Sequence, residues 1–263
     1  MASQGIVTLL SDFGWQDGYV GIIKGAIACI NPQLSVIDIT HQIPAHNIAA
    51  GRFCLMNAYL YFPRETVHVA IVDPGVGSQR RGVAVALQEG FLVGPDNGLL
   101  SGVLNLSSAL AAVELTQPRY WRVRQPSSTF HGRDIFAPVG AHLASGVPLE
   151  ALGNPIPPES LVQLAIPSAQ VQAQEIVGSI QYIDIFGNLI TNIPAAAVMG
   201  KTWSVAIADR TIPQGRAYSD VQPGECLGLI GSHGWLEIAA NGESAQARLQ
   251  VREGDRAIVK LGT

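Results

Sequence analysis

Val67-His68-Val69-Ala70-Ile71-Val72 is a mostly apolar run that breaks at once into Asp73-Pro74-Gly75-Val76-Gly77. A short apolar run closed by a proline and two glycines reads as a strand covered on both faces. Upstream, Ile6-Val7-Thr8-Leu9-Leu10 is a second such run, ending in the polar turn Ser11-Asp12-Phe13-Gly14. Gly18 to Ile30 carries apolar residues at Val20, Ile23, Ile27 and Ile30, a helical spacing that Pro32 closes. Leu34 to Ile39 reads as a strand, and Asn47 can cap a helix running to Tyr61 before Pro63. Downstream, Val83 to Leu87 and Phe91 to Val93 look like strands, and Arg133 to Ala144 resumes helical spacing. Pro138 is tolerable there only near the first turn. Apolar strands separated by helices predict a large α/β sheet domain over residues 1–160, with helices on both faces.

Beyond about Gly146 the character changes. Pro148, Pro155, Pro157 and Pro158 crowd a short stretch, and the weakly patterned residues 161–174 read as a linker. From Glu175 the chain is a series of short β-type runs: Ile176 to Ile185, Leu189 to Ile193, Trp203 to Ile207, Cys226 to Ile230, Trp235 to Ile238, Ala247 to Val251 and Ala257 to Leu261. Residues 175–263 therefore predict a small all-β barrel or sandwich domain.

Of 263 residues 48% are hydrophobic and 14% charged, which argues for packed cores and against disorder. The apolar runs are too short to span a bilayer, and Met1-Ala2-Ser3-Gln4-Gly5 lacks the layout of a signal peptide. Cys29, Cys54 and Cys226 are scattered and never in a CxxC pair, so neither a disulfide framework nor a zinc–cysteine site is expected and the reducing cytoplasm is the expected location. Cys29 and Cys54 sit in apolar runs and read as buried small hydrophobes. A net charge of −4 argues against a nucleic-acid partner.

In open α/β sheets ligands bind beyond the carboxyl ends of strands. Polar clusters stand at such ends here: Ser11 to Gly14 with Asp17, His41 to Asn47, Asp73 to Arg81, and Gly94 to Gly98, with Thr129 to Asp134 later in the same domain. Asp73 is the sharpest signal, because a carboxylate at the tip of a buried strand is costly unless it is bonded or used. Gly75-x-Gly77-x-x-Arg80 lacks the third glycine of a dinucleotide fingerprint, no GxxxxGK[ST] occurs, and the leading aspartate would repel phosphate. Asp12-Phe13-Gly14 and His131-Gly132-Arg133-Asp134 mimic two kinase motifs but come in the wrong order. His131 finds charged partners of suitable type in Asp73 and Arg80, whereas His41, His46, His68 and His142 read as hydrogen-bonded fillers, no His-x-His or HExxH spacing being present.

Taken together, these clusters resemble the S-adenosylmethionine hydroxide adenosyltransferase family, hydrolytic relatives of fluorinase and chlorinase. The resemblance is carried by Ser11-Asp12-Phe13-Gly14 with Asp17, Val72 to Gly77, Gly94 to Leu99, Phe130 to Asp134, Asp184-Ile185-Phe186-Gly187-Asn188, and Gly231-Ser232-His233-Gly234, six blocks in order along nearly the whole chain. It implies S-adenosyl-L-methionine as substrate, water as nucleophile and no cofactor or metal. It puts the family's Asp-Arg-His set on Asp73, Arg80 and His131, and the carboxylate that holds the ribose hydroxyls on Asp12. It sets Asp17 near the methionine end, Phe186 and Asn188 on the adenine stack and edge, and Asp184 and Ser232 on the methionine amine and carboxylate. It also implies a homotrimer, cyclic, with each site between the large domain of one subunit and the small domain of the next. Halogenating relatives carry an aromatic where this chain has His46 and an arginine where it has His233; a histidine is a weaker, pH-dependent carboxylate clamp.

A sulfonium departs as a neutral thioether and needs no general acid, so the missing element is a nucleophile: water placed in line and relieved of its proton. Asp73 and His131 can hold and deprotonate it while Arg80 orients Asp73; the residues alone leave open which of the two accepts the proton. A halogenase is the alternative enzyme, but Asp73 would repel a halide. A non-catalytic adenosine or S-adenosylmethionine sensor is the alternative of another class, and it has no use for Asp73, Arg80 and His131 together.

Overall fold

Strand β1 (Ile6–Ser11) is the hinge of the first sheet in the computed structural model, which describes residues 5–262. The chain leaves β1 through α1 (Tyr19–Ile30) to β2 (Ser35–Thr40) on one side. It then returns through α2 (Ile48–Tyr59) to β3 (Thr66–Ile71) on the other, both pairings being parallel. The crevice between β1 and β3 is thus a topological switch point, where α/β sheets leave room for a ligand. The remaining strands are β4 (Gly82–Ala86), β5 (Gly90–Pro95), β6 (Ala111–Glu114) and β7 (Asn154–Ile156), giving the order β2-β1-β3-β5-β4-β6-β7. β3 and β5 are parallel, but the β4–β5 hairpin turns the rest of the sheet antiparallel.

All six residues of β3 are buried, as a strand covered on both faces requires. One face carries Val7, Leu9, Val67 and Val69 against Ile23 and Ile27 of α1 and Val139 of α4 (Ala137–Ala144). On the other face, Gly51 of α2 comes so close to Leu10, Val72 and Leu99 that a Cβ there would sit 2.8 Å from Leu99. The short helix α3 (Ser101–Leu104) packs beside α2. Asn47 caps α2, its side chain accepting the Ala50 N–H at 2.9 Å. The buried stripe of α1 is Val20, Ile23, Ala26 and Ile27, so Cys29 falls off that stripe and is exposed, and Cys54 is half-buried, both contrary to the expectation from their apolar surroundings.

The helix expected from Arg133 begins with a π-helical turn, Gly132–Phe136, before α4. Pro138 has no N–H to offer the carbonyl of Asp134, and that carbonyl accepts the Arg122 N–H at 2.9 Å instead. Such π turns often mark places where a helix end is shaped for function.

The chain divides into two compact units, Met1–Leu164 and Ala165–Thr263. The second unit is an antiparallel β-structure of β8 (Gln170–Val171), β9 (Glu175–Ile183), β10 (Leu189–Pro194), β11 (Trp203–Ile207), β12 (Arg210–Pro213), β13 (Cys226–Ile230), β14 (Trp235–Ala240) and β15 (Arg256–Leu261). Its order is β12-β11-β15-β9-β10-β14-β13, with β8 added to β9. A bridge from Gln214 to Gly228, and a Gly215 N–H to Gly228 carbonyl bond of 2.8 Å, bring the ends of this path together, so the barrel is nearly closed. Ile176, Ile180, Leu189, Val205, Ile238 and Val259 fill its core. The strand expected over Ala247 to Val251 is instead a short helix, Ala245–Leu249. Ser244 caps it by accepting the Ala247 N–H at 3.1 Å, and Ala-Gln-Ala-Arg-Leu are good helix formers. β12, unforeseen in the sequence, pairs with β11 along Ser204 to Ile207.

Candidate active site

Ser11 and Ile71 are register partners on β1 and β3, so Asp12 and Asp73 leave neighbouring strand ends on the same edge of the sheet. A cavity of about 240 Å³ opens there, lined by Asp12, Phe13, Ala45, His46, Asp73 and His131 among others. Asp12 accepts the backbone N–H of His46 at 2.8 Å, and His46 sits at φ 66°, a conformation that few residues besides glycine adopt. Asp17 lies on an exposed turn and does not line this cavity. A larger groove, about 910 Å³, runs along the amino ends of the same strands. Its charged lining residues are Arg64 and Glu65, and Arg64 already pairs with Glu89 at 2.7 Å, so the chemistry points to the smaller cavity.

Asp73, Arg80 and His131 form one hydrogen-bonded chain. Arg80 Nε donates to both Asp73 oxygens at 2.9 and 3.1 Å, and its Nη2 reaches Oδ2 at 2.5 Å. The same Nη2 lies 2.7 Å from His131 Nδ1. The pair is largely buried, with side-chain exposures of 11% and 6%, so its electrostatics are only weakly screened. Burial and then the Arg80 charge hold the His131 pKa below its ordinary 6.5, against the opposing pull of Asp73 and Asp134. Because a guanidinium only donates, Nδ1 must accept, and the single proton of the neutral ring resides on Nε2. His131 therefore offers a donor at Nε2, and Asp73 offers lone pairs.

In the second unit, Asp184, Phe186 and Asn188 share the β9–β10 connection. Asp184 Oδ1 accepts the N–H groups of Phe186 and Asn188, each at 2.9 Å, and Oδ2 accepts the Asn188 side-chain amide at 2.9 Å. This clamp leaves Phe186 74% exposed, which is a large apolar residue to hold on a hydrogen-bonded turn. Ser232 is exposed on the β13–β14 connection. His233 beside it accepts the Trp235 N–H at Nδ1 (3.1 Å) and faces Glu237 through Nε2 at 3.1 Å. The other oxygen of Glu237 takes the Tyr218 hydroxyl at 2.9 Å, and burial together with Glu237 pushes the Tyr218 pKa up to about 12.

Residues 7–153 match the model of the SAM hydroxide adenosyltransferase N-terminal domain and residues 178–258 that of its C-terminal domain. The chain belongs to the SAM hydroxide adenosyltransferase family. It is 39% identical over the full length of both chains to a protein of Salinispora tropica called (R)-S-adenosyl-L-methionine hydrolase. It is 28% identical, over 96% of each chain, to a fluorinase of Actinopolyspora mzabensis. A crystal structure of an uncharacterized conserved protein from Thermotoga maritima superposes with a TM-score of 0.90 at 35% identity, covering 97% of this chain and 99% of that one.

In this member of the hydroxide adenosyltransferase family, several residues that the sequence blocks contain, but to which sequence reasoning gave no role, brace the site. Asp134 is fully buried and is held by Arg133 at 2.7 Å and by the Ser127 N–H at 2.9 Å, with Arg122 at 3.6 Å. Burial would raise its pKa, but these donors outweigh that and lower it, so it stays ionised and ties down the loop that carries His131. The block Gly94 to Gly98 turns out to be structural. Asn97 donates to the Val72 carbonyl at 2.9 Å, just before Asp73, and Asp96 pairs with Arg81, just after Arg80. Only Arg133 has its acidic partner beside it in sequence; Asp96 lies 15 positions from Arg81, and nothing local pairs those two.

Proposed function

We propose that the chain hydrolyses (R)-S-adenosyl-L-methionine to adenosine and L-methionine by attack of water on C5′, opposite the sulfonium. The observation that carries this reading is the continuous Asp73–Arg80–His131 network at a cavity shared with Asp12. The new bond joins water oxygen to C5′; the C5′–S bond breaks with its electron pair going to sulfur, and methionine leaves as a neutral thioether. Asp73 accepts the water proton. The acid strength of the water rises steeply as its oxygen bonds to carbon, so a carboxylate is base enough at that stage. Arg80 fixes the carboxylate plane, and the Nε2–H of His131 donates to the water oxygen, orienting its lone pair. A carboxylate in this position is unfavourable for a halide, which sets this chemistry apart from halogenation.

The rest of the substrate follows from the family resemblance. Asp12 holds the ribose hydroxyls, Phe186 stacks on adenine and Asn188 reads its edge, and Asp184, Ser232, His233 and Asp17 surround the methionine tail. The second-domain residues come from a neighbouring subunit of a cyclic trimer. The test is to incubate the protein with each sulfonium diastereomer separately in heavy-oxygen water and to separate the products. Adenosine labelled at its 5′-hydroxyl, formed faster from the R form, is the expected result. Unlabelled adenosine, 5′-halo-adenosine in chloride, or unchanged substrate would each overturn the reading.

A further inference from the structure

A second hydrogen-bonded chain lies directly behind Asp12. Lys24 of α1 donates to Asp38 Oδ2 at 2.6 Å, and Asp38 Oδ1 lies 3.0 Å from His41 Nε2. His41 Nδ1 lies 2.6 Å from Ser11 Oγ, which in turn accepts the Phe13 N–H at 3.3 Å. His41 and Ser11 are both fully buried. Asp38 would be raised by burial, but the bonds from Lys24 and His41 outweigh that and keep it ionised, so His41 Nε2 must be the donor. Nδ1 is then an acceptor, and the Ser11 hydroxyl has one direction in which to point. Burial, and secondarily Lys24, lower the His41 pKa against the pull of Asp38, which suits the neutral ring.

Serine, histidine and aspartate in a row resemble a hydrolytic triad, but Ser11 is sealed from solvent and does not line the cavity. Its oxygen is engaged on both sides. The network acts instead on the turn that carries Asp12. Ser11 and Phe13 flank Asp12 and are both tied into it. The His41 carbonyl accepts the Gly14 N–H at 2.7 Å, and the His41 ring meets Trp15 edge-on at 5.0 Å. Four residues that flank Asp12 thus register on one histidine, Ser11, Gly14 and Trp15 directly and Phe13 through the Ser11 hydroxyl.

We propose that His41, oriented by Asp38, is a positioning residue that sets the Asp12 carboxylate against the ribose of the substrate. The inference rests on Asp12 being the ribose contact. Fixing the ribose fixes C5′, and a displacement of about 1 Å at a reacting centre can cost on the order of a hundredfold in rate.

The test removes the ribose hydroxyl from the substrate and the network from the protein, singly and together. Against the 2′-deoxy and 3′-deoxy analogues, the parent protein should lose about tenfold or more in kcat/KM for at least one of the two, as expected for a hydroxyl bonded to a carboxylate. Ser11→Ala and His41→Gln should lose activity on the normal substrate in kcat/KM, with kcat falling as C5′ is misplaced. In both, the further loss on deletion of the hydroxyl should shrink to about threefold or less, since interacting groups give non-additive losses. His41→Asn, whose amide reaches the Nδ1 position, should recover part of that sensitivity. Ser11→Ala removes a single buried oxygen and keeps the test open if a His41 variant does not fold, which thermal unfolding will report. Losses that multiply, with full hydroxyl sensitivity kept in the variants, would overturn the positioning role. A parent protein that forms no adenosine at all would overturn the hydrolase reading instead.

Discussion

Asp73→Asn isolates the charge of the proposed proton acceptor from its shape. The carboxylate takes contacts at 2.9, 3.1 and 2.5 Å from Arg80 and is 6% exposed. An asparagine keeps one oxygen for the guanidinium but turns an amide NH₂ towards it, so one arginine donor loses its partner. That costs about 1–3 kcal/mol of stability, the usual penalty for an unsatisfied buried group. Removing the side chain entirely would strand the buried arginine at about 3–5 kcal/mol. Against a typical stability of about 5–15 kcal/mol, the asparagine variant should still fold. Its chemistry should suffer more, because losing a general base removes roughly two to four orders of magnitude in rate. At about 1.36 kcal/mol per tenfold, that is about 2.7–5.4 kcal/mol of barrier. The assay is single-turnover adenosine release, with thermal unfolding and adenosine titration run on the same preparation. Folded Asp73→Asn protein that binds adenosine normally and turns over within about tenfold of the parent would refute the proton-acceptor assignment.

His131→Ala should cost about ten- to a hundredfold, less than Asp73→Asn, because it removes an orienting donor and not the base; the reverse order in the same assay would move the base to His131. Since the His131 pKa is lowered, the neutral ring should persist down to a pH below 6.5, and activity should fall on the acid side only as the ring charges and loses the Arg80 contact. His68, buried in β3 and bonded to Thr8 at 2.8 Å, has its pKa lowered by burial to about 4. Unfolded chains therefore bind the proton first as pH falls from 6.5 to about 4, and stability drops across that window by on the order of 3 kcal/mol. Denaturant titrations at several pH values should show this loss, and His68→Leu should flatten it; an unchanged slope would assign the acid sensitivity elsewhere. Asp12→Ala and Asn188→Ala proteins should each be weak alone, and after co-refolding about one interface in four should regain two intact faces. No recovery despite demonstrated subunit mixing would disprove a shared site.

The sequence by itself determined the parts that depend on neighbours a few residues apart. The buried run of β3, the Asn47 cap of α2 and the string of short strands in the second unit follow from periodicity, capping and turn chemistry, which act locally. The six ordered blocks identified the family and pointed to Asp73, Arg80 and His131 before any distance was known. Only the tertiary structure decided what depends on remote partners. It put Arg80 Nη2 against a histidine 51 positions along the chain, and so resolved which nitrogen of His131 carries the proton. It turned β4 to β7 antiparallel, converted Ala247 to Leu249 from expected strand to helix, and kept Asp17 out of the Asp12 cavity. It also joined Lys24 of α1, Asp38 and His41 at the end of β2, and Ser11 of β1 behind Asp12. Strand pairing and hydrogen-bond direction are settled by which buried donors find acceptors once the chain has closed on itself, and residue spacing along the chain carries no record of that.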